Sequence, residues 1–243
     1  MEQNLSVILI AHNEEKIIGM MIEGLLKDYP KEILEVVVVN DASTDKTSFI
    51  VESWMNRDHR VKLIKRIPPC GVGRAIKTGF NNVDLKADYV LTMDSDFIEN
   101  IKEVRLLIRA MEEKGCDVVI GSRFIKGSRF VGYPLEKRIM NRLFHLVVKV
   151  LLHIKQKDLT NNFKLFKTNI VRKLPWKSNG YSINAETGIL PIIFGWRVKE
   201  VPVSWIRRDL KMGSSKFRLF LHGWPYTRVI IYAWKFLRWR RTI

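Results

Sequence analysis

Three short apolar runs, Leu5–Ala11, Glu35–Val39 and Ala87–Met93, punctuate the first part of the chain, and helical stretches separate them. Their brevity and their content of β-branched and aromatic residues mark them as buried strands. Buried strands that alternate with helices predict a mainly parallel, doubly wound α/β sheet flanked by helices. Such a sheet binds ligands outside the carboxyl ends of its strands. Acidic residues follow all three runs: Glu14, Asp41 and Asp94. Their carboxylates are therefore expected in one crevice.

Helix patterns cover about Asn13 to Lys27, Lys46 to Met55, Gly71 to Phe80, Ile101 to Lys114, Leu135 to Leu152 and Asn184 to Phe194. Further strands are expected at Val61–Ile64, Val118–Ile120, Phe163–Phe166 and Val198–Trp205, with a basic, Gly-containing loop from Gly121 to Gly132. A length of 243 residues suits one such domain. The expected division is a main domain over residues 1–216 and a tail over 217–243.

Asp94-Ser95-Asp96 closes the third run. Two hard oxygen donors one residue apart suit Mg²⁺ or Mn²⁺ shared with a diphosphate, because Mg²⁺ takes one or two carboxylates and fills its shell with phosphate and water. The same triplet also occurs in plain turns. Asp41 and Asp45 suit either ligand binding or helix capping. Gly71-Val72-Gly73 permits close backbone approach, and Arg74 at the following helix start is placed to reach a phosphate. The third glycine of a dinucleotide fingerprint is missing.

Charge narrows the partners. The net charge is +17, from 42 Lys and Arg against 25 Asp and Glu, which favours polyanions or anionic surfaces. From Trp205 onward Asp209 is the lone acid among ten basic residues, interleaved with Trp224, Tyr226, Tyr232, Trp234, Phe236 and Trp239. That mixture predicts a membrane-surface element in the tail; packing of the aromatics into the core is the competing reading, and nucleic acid is not expected. Cys70 and Cys116 have no metal-ligand spacing and imply a reducing compartment. Met1-Glu2-Gln3-Asn4 enters the first strand directly, without a secretory pattern, and no run reaches the roughly 18 apolar residues of a span. A cytoplasmic location, peripheral on a membrane, follows as the expectation.

Taken in order, Ala11-His12-Asn13-Glu14, Val39-Asn40-Asp41-Ala42-Ser43-Thr44-Asp45, Gly71-Val72-Gly73-Arg74-Ala75, Met93-Asp94-Ser95-Asp96, Asp158-Leu159-Thr160-Asn161-Asn162-Phe163 and Gly213-Ser214-Ser215-Lys216 resemble family-two glycosyltransferases of the GT-A fold. Within them the chain is most similar to dolichyl-phosphate mannosyltransferases and related polyprenyl-phosphate sugar transferases. The resemblance implies that Glu14 and Asp41 hold the nucleotide, with Ile10, His12 and Val39 alongside, His12 standing where relatives carry Tyr. It implies that Asp94 and Asp96 carry the metal, with Ser95 lending a backbone contact. Relatives often have Gln where this chain has Ile98, so a third protein ligand is not given. Lys164 stands where relatives carry Arg, Asn162 where many carry Gly, and Ser215 and Lys216 match a phosphate-contacting loop. The Arg expected before that loop is Leu210; Arg207 and Arg208 are the substitutes.

The expected activity is a metal-dependent inverting transfer of mannose or glucose from GDP-mannose or UDP-glucose to a polyprenyl (dolichyl) phosphate. Catalytic candidates are Asp94, Asp96, Lys164 and Lys216, with Arg123 helping to gather the anions. An ionised phosphate needs no strong base, whereas a hydroxyl acceptor, as in polysaccharide or glycolipid synthesis, needs one, and Glu186 is its candidate. A non-catalytic basic module that binds membrane or nucleic acid is the alternative from another class. Expected associations are an anionic membrane surface and a membrane-protein partner.

Overall fold

The structure, a computed structural model, describes residues 4–113, 115–206 and 219–241. In chain order the elements are β1 (Leu5–Ala11), α1 (Ile18–Asp28), β2 (Ile33–Asp41), α2 (Thr47–Met55), β3 (Val61–Arg66), α3 (Val72–Asn82), β4 (Tyr89–Asp94), a 3₁₀ turn (Ile98–Asn100), α4 (Val104–Glu112) and β5 (Val118–Ser122). Then follow β6 (Phe130–Val131), α5 (Leu135–Leu152), β7 (Lys164–Lys167), α6 (Thr168–Lys173), α7 (Ile183–Ile193), β8 (Val198–Pro202), β9 (Trp205–Ile206) and α8 (Leu219–Arg241). Seven strands form one sheet in the order β3-β2-β1-β4-β7-β5-β8. All neighbours are parallel except β7, which runs against both β4 and β5.

Both faces of the sheet are covered, and β2 shows why its valines run together. Val36 and Val38 enter one core layer with α1, α2 and α4, while Val37 and Val39 enter the other with α3, α5, α6, α7 and α8. Successive strand side chains point to opposite faces, so the middle of a strand with two buried faces turns no side chain to water. Each fully buried aliphatic side chain of this kind contributes about 1.5–3 kcal/mol.

Several boundaries differ from the sequence reading. Helix α1 begins at Ile18 rather than Asn13. Asn13 has a positive φ of 57°, and the N–H groups of Asn13, Glu14 and Glu15 donate to Ser43 Oγ, Thr47 Oγ1 and Asp45 Oδ2. That left-handed backbone at Asn13 cannot belong to a right-handed helix, and the three bonds pin the loop to β2–α2, so the helix starts later. The strand expected over Val198–Trp205 divides after Pro202. Glu103 accepts the N–H of Ser204 at 2.9 Å, and Asn100 Nδ2 donates to the Ser204 carbonyl at 3.0 Å. The chain then leaves the main sheet, and Trp205–Ile206 pairs with Phe130–Val131.

Helix α8, in the segment read as a tail, turns Val229, Ile230 and Ala233 into the second core layer. Tyr226 donates to the Tyr181 carbonyl at 3.0 Å, and Phe236 stacks on Phe194. Trp224, Trp234 and Trp239 face outward. Among the described residues no helix is long and apolar enough to cross a membrane.

Candidate active site

The strand order reverses between β1 and β4, and Ile10 lies beside Asp94 in that register. Loops leaving the two strands diverge there and open a crevice. The resulting cleft has a volume of about 1070 Å³, and Ile10, His12, Glu14, Asp41, Asp94 and Asp96 all line it. Tyr181 faces the same group: burial raises its phenol pKa, and the negative charges of Asp94, Asp96 and Glu14 raise it further. The three acidic loops thus converge as the strand pattern predicts.

The end of the cleft beside β1 and β2 is built by two loops that brace one another. Thr44 N–H donates to Asn13 Oδ1 and Lys46 N–H to Glu15 Oε2, in return for the bonds from Asn13, Glu14 and Glu15 described above. Asp45 caps α2 through the Thr47 N–H at 2.9 Å, besides holding Glu15. Asp41 ends β2 as a buried carboxylate that ion-pairs with Arg66 of β3 and accepts the Gly71 N–H at 2.6 Å. His12 Nδ1 lies 2.7 Å from the Asp41 carbonyl oxygen, which only accepts, so Nδ1 carries the proton.

At the other acidic loop, Asn162 Nδ2 donates to Asp94 Oδ1 at 3.0 Å, and Ser95 Oγ donates to the Ile10 carbonyl at 2.8 Å. Asp94 and Asp96 offer hard carboxylate oxygens to one space. Ile98 packs against the hydrophobic core. Among the described residues no group of three metal-ligating side chains occurs. Two carboxylates with the rest of the shell left to phosphate and water fit Mg²⁺ or Mn²⁺, whereas a closed all-protein site would not.

Arg123 also lines the cleft. Its Nε and Nη2 donate to Asp158 at 2.7 and 2.8 Å, and its backbone N–H donates to Asp158 Oδ2 at 2.8 Å. Asp158 is fully buried; desolvation pulls the Arg123 guanidinium pKa down, but the charge and hydrogen bonds of Asp158 together hold it above the usual range. Glu200 in turn accepts the N–H groups of Lys157 and Asp158.

Other expected residues lie elsewhere. Val39 is wholly in the core and does not line the cleft. Lys164 is fully buried, with its ammonium donating to the carbonyls of Asn161 and Asn184 and to Thr187 Oγ1; it holds the loop beneath the cleft rather than facing a phosphate there. Burial drives its pKa down to about 7, against the opposing charge of Asp158. Arg74 is half-buried on α3 and does not line the cleft; its Nη1 reaches the Cys70 carbonyl. The glycines beside it accommodate a protein loop: a Cβ on Gly71 would sit 2.5 Å from the Asn179 carbonyl oxygen, and one on Gly73 2.4 Å from that of Ser178.

Glu186 is buried and accepts the N–H groups of Lys177 and Ser178 at 2.8 and 2.7 Å, so both carboxylate oxygens are structural. Arg207, Arg208, Leu210, Ser215 and Lys216 lie outside the described residues.

Three contributors escaped the sequence reading. Arg66 carried a usable signal, a cation at a strand's carboxyl end. Asn162 stood out only as a departure from relatives, and Tyr181, in a loop, had no signal.

Residues 6–175 match the family model described as Glycosyl transferase family 2. The chain is 30% identical over 212 residues to an uncharacterized protein of Methanocaldococcus jannaschii, covering 86% of this chain and 84% of that protein. It is 26% identical over 213 residues to the undecaprenyl-phosphate mannosyltransferase of Micrococcus luteus, covering 86% and 85% respectively. Among solved structures it is similar to glucosyl-3-phosphoglycerate synthase from Mycobacterium tuberculosis in complex with Mn²⁺, uridine diphosphate and phosphoglyceric acid. That likeness has a TM-score of 0.68 at 19% identity over 95% of this chain and 77% of the other.

Proposed function

Because the chain belongs to glycosyl transferase family 2, we propose that it transfers a hexose, with inversion, from a nucleoside diphosphate sugar to a polyprenyl phosphate. The observation that carries this reading is the convergence of Glu14, Asp41, Asp94 and Asp96 with Arg123 in one cleft at the strand-order reversal. The mannosyltransferase relative, at 26% identity over most of both chains, supports the acceptor class. GDP-mannose and UDP-glucose are the donors to test first.

Glu14 and Asp41 present acceptors to the polar edges of base and ribose. Asp94 and Asp96 hold Mg²⁺ or Mn²⁺, which when bound neutralises charge on the departing diphosphate. Arg123, fixed by Asp158, presents a guanidinium edge toward the anions, and Lys137 adds a second cationic side chain to the same lining. A phosphate monoester, with a second pKa of about 6, is largely dianionic at neutral pH and attacks the anomeric carbon without a base. The engagement of Glu186 with two backbone donors supports that choice over a hydroxyl acceptor. We place the enzyme peripherally on the cytoplasmic face of an anionic membrane, a location supported by the basic, aromatic C-terminal segment; Lys216 and Arg207 or Arg208 are proposed phosphate contacts there.

The test is a panel of nucleotide sugars with polyprenyl phosphate and Mg²⁺ or Mn²⁺. An acid-labile glycosyl phosphate is the expected product. Asp94→Asn and Asp96→Asn should each lower transfer roughly 100-fold or more without unfolding the protein. Undiminished transfer by wild type in excess chelator would refute the metal role.

A further inference from the structure

Beyond Arg123 and Lys137 the cleft continues as an apolar arm, walled by Met140, Leu143, Val147 and Leu151 on α5 and by Ile230 and Ile231 on α8. The α5 residues follow one another at spacings of three, four and four, so they form a single stripe along the helix. A second stripe, Leu135, Ile139, Leu146 and Val150, is exposed and lies outside the cleft. Only His145, Val148 and Leu152 of this helix are buried. Eight large aliphatic side chains of α5 are thus exposed in the two stripes, Leu135 by 67% and Val150 by 62%. Contiguous apolar exposure of this kind marks a binding surface rather than ordinary scatter.

We propose that the arm between α5 and α8 is the berth of the acceptor's prenyl chain, and that the chain enters it sideways from a lipid surface on which the outer stripe of α5 rests. The inference depends on the acceptor being a polyprenyl phosphate. A prenyl chain is bonded to the phosphate that attacks, so it must leave the reacting end of the cleft along a wall that tolerates hydrocarbon. The arm starts at that end and is lined mainly by apolar side chains, with Asn141 and Thr227 the polar members contributed by the same two helices. A peptide there would need partners for every backbone N–H and C=O, which an aliphatic stripe does not supply. Arg138, Arg142 and Lys149 occupy the remaining side of α5, where cations meet anionic headgroups while the apolar stripes enter the acyl boundary.

The test compares transfer to short and long prenyl phosphates in detergent. In Val147→Trp and Ile231→Trp, which fill the arm without adding charge, the KM for a long-chain acceptor should rise at least tenfold and that for an isopentenyl-length phosphate less than twofold. Ile139→Gln with Leu146→Gln should lower flotation with phosphatidylglycerol vesicles at least tenfold, and Leu85→Gln, on another exposed surface, should not. A long prenyl phosphate bearing a photoreactive tail should crosslink to peptides of α5 or α8, which tests the berth in the unmodified protein.

Equal treatment of long and short acceptors by wild type, or crosslinks confined to other elements, would overturn the berth. Wild type that transfers to no prenyl phosphate of any length would overturn the acceptor reading itself, a separate failure. Flotation unchanged by the paired glutamines would remove the lipid-surface entry.

Discussion

Asp158→Ala should be among the most damaging single substitutions in this protein. Asp158 is fully buried and receives three donors from one residue: the Arg123 N–H, Nε and Nη2, at 2.8, 2.7 and 2.8 Å. Its removal leaves a mostly buried guanidinium without its counter-charge, a situation that costs about 3–5 kcal/mol. At about 2–4 °C per kcal/mol for a chain of this size, the melting temperature should fall by roughly 6–20 °C. The double variant Arg123→Met with Asp158→Leu removes both charges and should recover part of that loss. Recovery stays incomplete, because the backbone N–H of residue 123 still lacks its acceptor, at about 1–3 kcal/mol. Thermal melts monitored by circular dichroism, with denaturant midpoints beside them, supply the comparison. The double variant should remain inactive, since the cation that lines the cleft is gone. A single-variant loss below about 1 kcal/mol, or a double variant no more stable than Asp158→Ala, would refute the argument that an uncompensated buried charge dominates.

Lys164 supplies a pH signature. Its folded pKa, lowered by burial to about 7 from an ordinary 10.5, means that the unfolded chain holds the extra proton between those values. Stability from this group therefore rises with pH across that window. Wild type should gain on Lys164→Met from about pH 7 toward pH 10 in denaturant titrations, and a flat difference would show that the ammonium is not depressed. Glu186→Gln retains one acceptor for two N–H groups and should cost about 1–3 kcal/mol of stability. Folded Glu186→Gln should keep most of its transfer rate; a 100-fold loss in turnover would restore the carboxylate as a base.

The valines of β2 were legible because a strand buried on both faces writes itself as an uninterrupted apolar run. The carboxylates of Glu14, Asp41 and Asp94 were legible for a related reason: each follows such a run, so the fold carries them to one edge. What failed to show depends on partners distant in sequence. The late start of α1 is set by the left-handed backbone at Asn13, in a loop that side-chain oxygens of the β2–α2 loop pin through the N–H groups of Asn13, Glu14 and Glu15. The two-residue pair of β6 and β9 is too short for any periodicity, and it exists because Glu103 and Asn100 capture Ser204. Lys164 reads as a strand cation, but only the packing of β7 between β4 and β5 shows that its side chain is enclosed.

The bracing of the β1 and β2 loops bears on how such a protein can change. Asn13 and Glu15 each accept a backbone N–H from the opposite loop, and Ser43, Asp45 and Thr47 each return the service. Neither loop keeps its shape when the other is replaced, so His12 and Asp41 do not vary as independent letters. A graft meant to reshape this end of the cleft has to carry residues 12–17 and 40–47 together as one cassette. In diverging copies of this chain, a replacement at Asn13 or Glu15 should be matched by a compensating one some thirty positions downstream, leaving a paired record of drift at the crevice mouth.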